Sequence, residues 1–402
     1  MKYIITLFGA IISLNSYALE SRSCALEQYF LRTESYKSSL LDNKEKKLEL
    51  DRKELSLLPN IYIGIGQQSS NDRSFKSVRE SSLSVGISQT IYEGDNYRKT
   101  KKKINTDVEY NNLMIHDKRN SYLIDLYRAV IDYKYKLDLR ELYASQLEKQ
   151  NVQLEAAKAS LASGDIAMIE YNAANLRRDE IRNNLSRIEN EIRQSELDIY
   201  AKFNVPENYI KNVSSNTILS CKTEGAGDIL TKSRELLRQN ESANYELEMT
   251  SVQPNVSLSV YVSPPDTGTW KDLSLKKSDF GASVNVAIPV SNFFSMNSIE
   301  KSHAIAISRI NDSYDEKDKI YFREKEKTIS KIKELERNIV LSKKAVELKS
   351  KEVDYILSRF KEKKETIMSY YRQLDEYESA KINLKKEERE VEFNKVYISI
   401  LD

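Results

Sequence analysis

The 402-residue chain has only two histidines, two cysteines, one tryptophan, six prolines and ten glycines. Neither His116 nor His303 is followed by a partner at ligand spacing, so no zinc-type pattern is present. Charge of one sign is also lacking: 63 Lys and Arg stand against 61 Asp and Glu, a formal charge of +2. That balance excludes a nucleic-acid binder, which carries a basic excess. Long apolar runs are missing beyond the first residues. If the mature protein meets a bilayer, it must therefore do so through β-strands.

The first residues are the exception. Lys2 precedes an apolar run from Tyr3 to Leu14 and then the small-residue site Ser16-Tyr17-Ala18. The pattern predicts a secretory signal peptide over residues 1–18, cut after Ala18. The run is shorter than the ~20 residues of a membrane span and is followed by Glu20 and Arg22. Ser21-Arg22-Ser23 sets a cation beside Cys24, well beyond the apolar run, which argues against a lipid anchor there. In an exported chain the two thiols, Cys24 and Cys221, can pair.

What the chain has in quantity is charge: 31% of residues are charged and the mean hydropathy is −0.59. Such a composition suits long solvated helices better than a thick globular core. The few glycines and prolines mark where those helices stop. Neither residue occurs from Asp95 to Ser163, from Asp165 to Val205, or from Ser291 to Asp402. Gly94 to Gly164 spans 70 residues (164 − 94), about 105 Å as one helix. On the returning segment Ile181, Leu185, Ile188, Ile192 and Ile199 form a heptad seam.

The design occurs twice. Leu147, Leu154 and Leu161 recur every seven residues in the first half. Ile332, Ile339, Val346, Val353 and Phe360 do so in the second, offset by 199 (360 − 161). Leu58-Pro59 and Gln253-Pro254 are offset by 195, which makes an internal duplication. Ahead of each long helix lie two segments of period-two patterning, the strand signature. Ile61, Ile63 and Ile65 alternate with Tyr62, Gly64 and Gly66, and Leu83, Val85, Ile87 and Ile91 alternate with small polar residues. Val256, Leu258, Val260 and Val262, then Ala282, Val284, Val286 and Ile288, repeat the pattern. The segments approach the ~9–11 residues of a tilted membrane strand, and Tyr92, Phe293 and Phe294 sit where an aromatic girdle would lie. The polar tips, Gln67 to Glu80 and Pro264 to Lys277 with Trp270, complete the hairpins. Four strands cannot close a barrel, and open edges are not tolerated in lipid, so a barrel must be shared among chains.

With these elements in order, the chain resembles the TolC-like outer-membrane efflux and secretion channels over nearly its whole mature length. Leu58-Pro59-Asn60 and Gln253-Pro254-Asn255 match the family's strand start. Gln89-Thr90-Ile91-Tyr92-Glu93-Gly94 and Ala287-Ile288-Pro289-Val290 match its strand-to-helix exit. The family's distal turn is an apolar residue, Gly three later, then a small residue. It is matched by Leu161, Gly164, Asp165 and Ala167, and in the second repeat by Phe360 and Thr366 with Lys363 replacing Gly.

The resemblance implies an α+β membrane protein of two tandem repeats, each a β-hairpin plus a very long coiled-coil helical hairpin. Three chains would form a twelve-stranded β-barrel continued by a twelve-helix α-barrel. The first repeat covers 19–203, with strands near 59–67 and 82–92 and helices over 95–203. A linker covers 204–228. The second repeat covers 229–402, with strands near 254–263 and 280–290 and helices over 292–402. The implied role is the outer-membrane subunit of a tripartite efflux or type I secretion system. It would have a long periplasmic extension, no cofactor and no enzymatic activity. Its partners would be two further copies, outer-membrane lipid, an inner-membrane transporter and a periplasmic adaptor docked near the Leu161, Gly164, Asp165, Ala167, Lys363 and Thr366 turns.

The resemblance also places a periplasmic gate on the strip from Phe360 to Glu376. The family holds that end with an aromatic, an Arg and two inward carboxylates, which fall here on Phe360, Glu365, Ser369 and Arg372. Glu365 occupies the Arg position and Arg372 a carboxylate position, while Asp375 and Glu376 lie a turn further on. Glu365 and Arg372 are seven residues apart, a spacing that predicts one helical face and contacts to a neighbouring helix.

Other chemistry has little to stand on. Mixed runs such as Glu324-Lys325-Glu326-Lys327 read as solvated helical faces, and Gly64-Ile65-Gly66 lacks the following Gly and helix of a dinucleotide loop. Cys24 and Cys221 precede equivalent parts of the two repeats, but equivalent positions need not be neighbours, so the sequence leaves their pairing open. The alternative to a channel is a periplasmic coiled-coil scaffold without a pore, its strands forming a soluble cap.

Overall fold

The computed structural model describes residues 24–66, 82–263, 278–362 and 364–402. The expected signal peptide, the two strand-hairpin tips and Lys363 lie outside the described residues. A single turn, α1 (Glu27–Phe30), leads into α2 (Glu34–Leu55), whose first turn is capped by Thr33 accepting from the Tyr36 amide at 3.3 Å. Strands β1 (Asn60–Gly66) and β2 (Ser82–Glu93) follow. Gly94 and Asp95, at φ +60° and +62°, then turn the chain into α3 (Asn96–Ala162). Gly94 has two reasons to lack a side chain, because a Cβ there would also meet Gln253 at 2.9–3.0 Å.

With 67 residues, α3 is about 100 Å long. It returns as α4 (Met168–Phe203). The short helices α5 (Glu207–Ile210) and α6 (Ser215–Leu219) connect to α7 (Ala226–Glu248), the counterpart of α2. Strands β3 (Asn255–Ser263) and β4 (Asp279–Ala287) precede a 3-10 turn over Val290–Ser295, then α8 (Met296–Lys361) and α9 (Ile367–Leu401). The second exit differs in form from the first. The strand ends at Ala287, two residues before Pro289, which has no amide to continue a ladder.

The four strands form one antiparallel sheet in the order β1-β2-β3-β4, with a single irregularity between Thr90 and Tyr92. The helices lie side by side in the order α4-α3-α9-α8, and α7 packs across both α3 and α8. The predicted seams are the contact faces. Ile181, Ile188, Ile192 and Ile199 are buried in one hairpin and Val353 in the other. The main core lies partway along α3. It gathers α1, Tyr122 to Tyr133, the end of α4, the 205–221 linker and the end of α9. Among the described residues no helix is long and apolar enough to cross a membrane.

Candidate functional site

The sheet sets the first part of the site. Its register lines up Ile61, Ile87, Val260 and Ala282 in one row and Ile63, Val85, Val262 and Phe280 in the next. Side chains alternate across a strand, so these rows share one face. That face is open: Ile61 is 72%, Val284 65% and Phe280 71% exposed. Exposed apolar area on this scale marks an interaction or membrane surface. Ile288, Val290, Phe293 and Phe294 extend it to the helix junction, and all are exposed.

The opposite face carries Tyr62, Gly86, Tyr261 and Gly281 in a single row across all four strands. Each tyrosine lies over the glycine of its own repeat. A Cβ on Gly86 would collide with the Tyr62 ring, and one on Gly281 with the Tyr261 ring. The sequence pattern shows glycines on this face; only the register shows that tyrosines cover them.

The second part of the site is the far end of the helices. The α3–α4 turn closes with a Gly164 φ of +75°. The Asp165 amide donates to the Ser160 carbonyl at 2.8 Å, and the Gly164 amide to Leu161 at 3.1 Å. The Ala167 amide donates to the Glu170 carboxylate at 3.0 Å, opening α4. The α8–α9 turn has the same length and the equivalent outer bond, from the Lys364 amide to the Arg359 carbonyl at 2.9 Å. There Thr366 caps α9, its hydroxyl accepting from the Ser369 amide at 3.2 Å.

Between the turns the two hairpins are fastened together. Leu154, Ala157, Ala174, Val353, Ile367, Tyr370 and Tyr371 form a small core, with Phe360 half-buried against it. The Gln150 amide group donates to the Ala174 carbonyl at 3.0 Å and to the Tyr371 hydroxyl at 3.2 Å, and Gln153 donates to the Tyr370 hydroxyl at 2.6 Å. Burial pushes both tyrosine hydroxyls above their usual range. Arg177 of α4 reaches Asp375 of α9 at 2.7 Å, with its guanidinium 5.0 Å from the centre of the Tyr371 ring. Lys349 binds Glu376 at 2.6 Å, a hydrogen bond that holds the Glu376 carboxyl below its ordinary range.

The structure does not place Glu365 and Arg372 on one helix. Because Thr366 is the cap, Glu365 lies in the turn before α9, where it pairs with Arg359 at 3.6 Å. Arg372 is exposed on α9 beside Glu376. Of the strip, Asp375 touches the other hairpin, Glu376 touches α8 and Phe360 joins the small core, whereas Ser369 serves the helix cap. Sequence reasoning missed Gln150, Gln153, Arg177, Tyr370 and Tyr371; the only signal was their position, one to four turns from the hairpin bends.

Cys24 and Cys221 form a disulfide with Cα atoms 4.7 Å apart. It ties the segment before α1 to the inter-repeat linker, and Cys221 is buried in the main core. The bond occupies the Cys24 thiol, leaving none to carry a lipid. The histidines are packing residues. The Nδ1 of His116 lies 2.9 Å from the Thr223 hydroxyl, and His303 stacks on Tyr245 at 4.6 Å with Glu241 at 3.5 Å. Among the described residues no group of His, Cys, Asp or Glu could hold a metal ion.

No sequence-family profile matches the chain, and no curated protein matches it in sequence. Solved structures do match in shape. CusC is 11% identical, with a TM-score of 0.75 over 93% of this chain and 90% of its own. The outer membrane protein VceC of Vibrio cholerae is 10% identical, with 0.70 over 94% and 95%. The open state of the Neisseria gonorrhoeae outer membrane channel MtrE is 12% identical, with 0.69 over 93% and 87%. Over nearly the whole of each chain the shapes agree: the chain has the fold of the TolC-like outer-membrane channels.

Proposed function

We propose that three copies of this chain form an export duct. The sheets close into a twelve-stranded barrel in the outer membrane, and the helices continue it as a twelve-helix tunnel through the periplasm. A periplasmic adaptor and an inner-membrane transporter supply the substrate, as in tripartite efflux or type I secretion. The chain provides a path and no bond-making chemistry.

The observation that carries this reading is the open apolar face of a four-stranded sheet whose outer strands, β1 and β4, have no further strand partner among the described residues. In hydrocarbon each unpaired backbone group costs several kcal/mol, so such edges must meet others. The helices support the same closure. The flanking helices α4 and α8 carry exposed apolar residues at heptad spacing, Ile169, Leu176 and Leu197 on one and Leu341, Leu348 and Tyr355 on the other. A soluble scaffold leaves the sheet face unexplained.

The test combines location and conduction. The protein is expected to stay in outer membranes through high-salt and carbonate washes, to extract as a trimer, and to give stepwise conductance in planar bilayers. A stable, folded monomer in detergent that leaves bilayers silent would remove the channel reading.

A further inference from the structure

The two repeats are not equally covered. Helix α7 lies between two long helices. It touches α8 of its own repeat through Arg234 to Asp315 at 3.0 Å and Glu241 to His303. It touches α3 through Glu246 to Lys102 at 2.8 Å, Asn244 to Lys103 at 2.9 Å and Asn240 to Asp107. Ala243, on this stretch of α7, is fully buried. Among the described residues, the side-chain bonds from its counterpart α2 to a long helix are all of the first kind. Lys46 reaches Asp107 at 3.4 Å and Asn43 bonds Asn112 at 2.8 Å, both on α3 of its own repeat. The other face of α2 is open, with Leu41, Leu48 and Leu55 each more than half exposed at heptad spacing.

The duplication says what belongs on that face. The strands following α2 and α7 begin at Asn60 and Asn255, an offset of 195. Helices α3 and α8 run unbroken to equivalent caps with an offset of 199. Carrying the α7–α3 contacts through these offsets maps Ala243 onto Leu48, Leu236 onto Leu41, Glu246 onto Asp51, Lys102 onto Lys301 and Thr106 onto Ile305. The acid–base pair survives with its signs. Thr106 is buried on the same stretch of α3 as Lys102, Lys103 and Asp107, whereas Ile305 is 58% exposed and Lys301 is exposed.

We infer that the open face of α2 docks on the Lys301–Arg309 stretch of α8 in a second copy of this chain, pairing Asp51 with the neighbour's Lys301 and Leu48 with its Ile305. This rests on the trimer reading and specifies its seam. The pseudo-repeat of one chain then becomes a sixfold alternation around the ring.

The test uses the full-length protein in detergent with Asp51→Cys and Lys301→Cys in one chain, since the native thiols are already joined. Mild oxidation is expected to give covalent trimers at least tenfold faster than an Asp51→Cys, Lys361→Cys control, whose second cysteine lies at the opposite end of α8. Asp51→Lys is expected to weaken the trimer severalfold, and Asp51→Lys with Lys301→Asp to restore it. A detergent trimer that forms no such link, or in which the exchanged pair rescues nothing, overturns the seam and leaves the duct. A protein that is monomeric before any substitution overturns the duct itself.

Discussion

The two apolar clusters of this molecule are built on different terms. The main core joins the α1 segment, the inter-repeat linker and the last turns of α9 to α3 with a disulfide, tilted and edge-on aromatic contacts such as Phe30 on Tyr122 at 5.5 Å, and buried aliphatics. The distal cluster has seven buried residues, and much of its cross-hairpin hold is polar: glutamine amides on tyrosine hydroxyls, and Arg177 on Asp375. Stability is rarely uniform, and moving parts are drawn from its lower end. The contrast assigns permanence to the core near the termini and reversibility to the far end.

The largest expected effect tests permanence. Cys221→Ser removes a cross-link enclosing 197 residues and is expected to lower stability by about 2–5 kcal/mol, globally. Denaturation of the oxidised and reduced detergent-solubilised protein should differ by as much; coincident curves would show that the core needs no staple. Next comes Asp375→Ala. It strands Arg177, whose side chain is only 12% exposed, and should cost about 1 kcal/mol. Amide exchange near Gly164 and Thr366 should accelerate while exchange around Tyr127 stays fixed. Acceleration in both places would mean that the clusters are one cooperative unit.

Tyr371→Phe removes the hydroxyl that receives Gln150 and is expected to cost somewhat under ~1 kcal/mol, with the same local signature. The smallest stability effect is assigned to Arg372→Ala, because that side chain is exposed; a change within about 0.5 kcal/mol is expected. Its single-channel conductance decides its role. A rise places Arg372 in the gate, and an unchanged value removes it from the gate while leaving the duct intact.

Much of the fold was legible because its signals are local. Missing Gly and Pro announced the long helices, and alternation in residues such as Val256 to Val262 announced strands whose face needs no partner within the chain. The duplication was legible because both caps kept their spacing even where Lys363 replaces Gly. What was not legible depends on registers between distant segments. The pairing of Cys24 with Cys221 follows from how α1 and the linker enter one core. The displacement of Glu365 into a turn follows from Thr366 taking the cap. Tyrosine over glycine follows from the register within each strand hairpin, and only the pairing of β2 with β3, across the boundary between repeats, brings the two pairs into one row.

The disulfide has a mechanical corollary. Because it spans residues 24 to 221, a force applied along the chain beyond those points bypasses the first repeat. A single-molecule pull would extend the oxidised protein through its second repeat alone. Nearly 200 residues, about 700 Å of contour at ~3.6 Å each, would stay hidden behind a covalent shunt until a reductant released them. One half of a nearly symmetric molecule thus carries tension only after reduction.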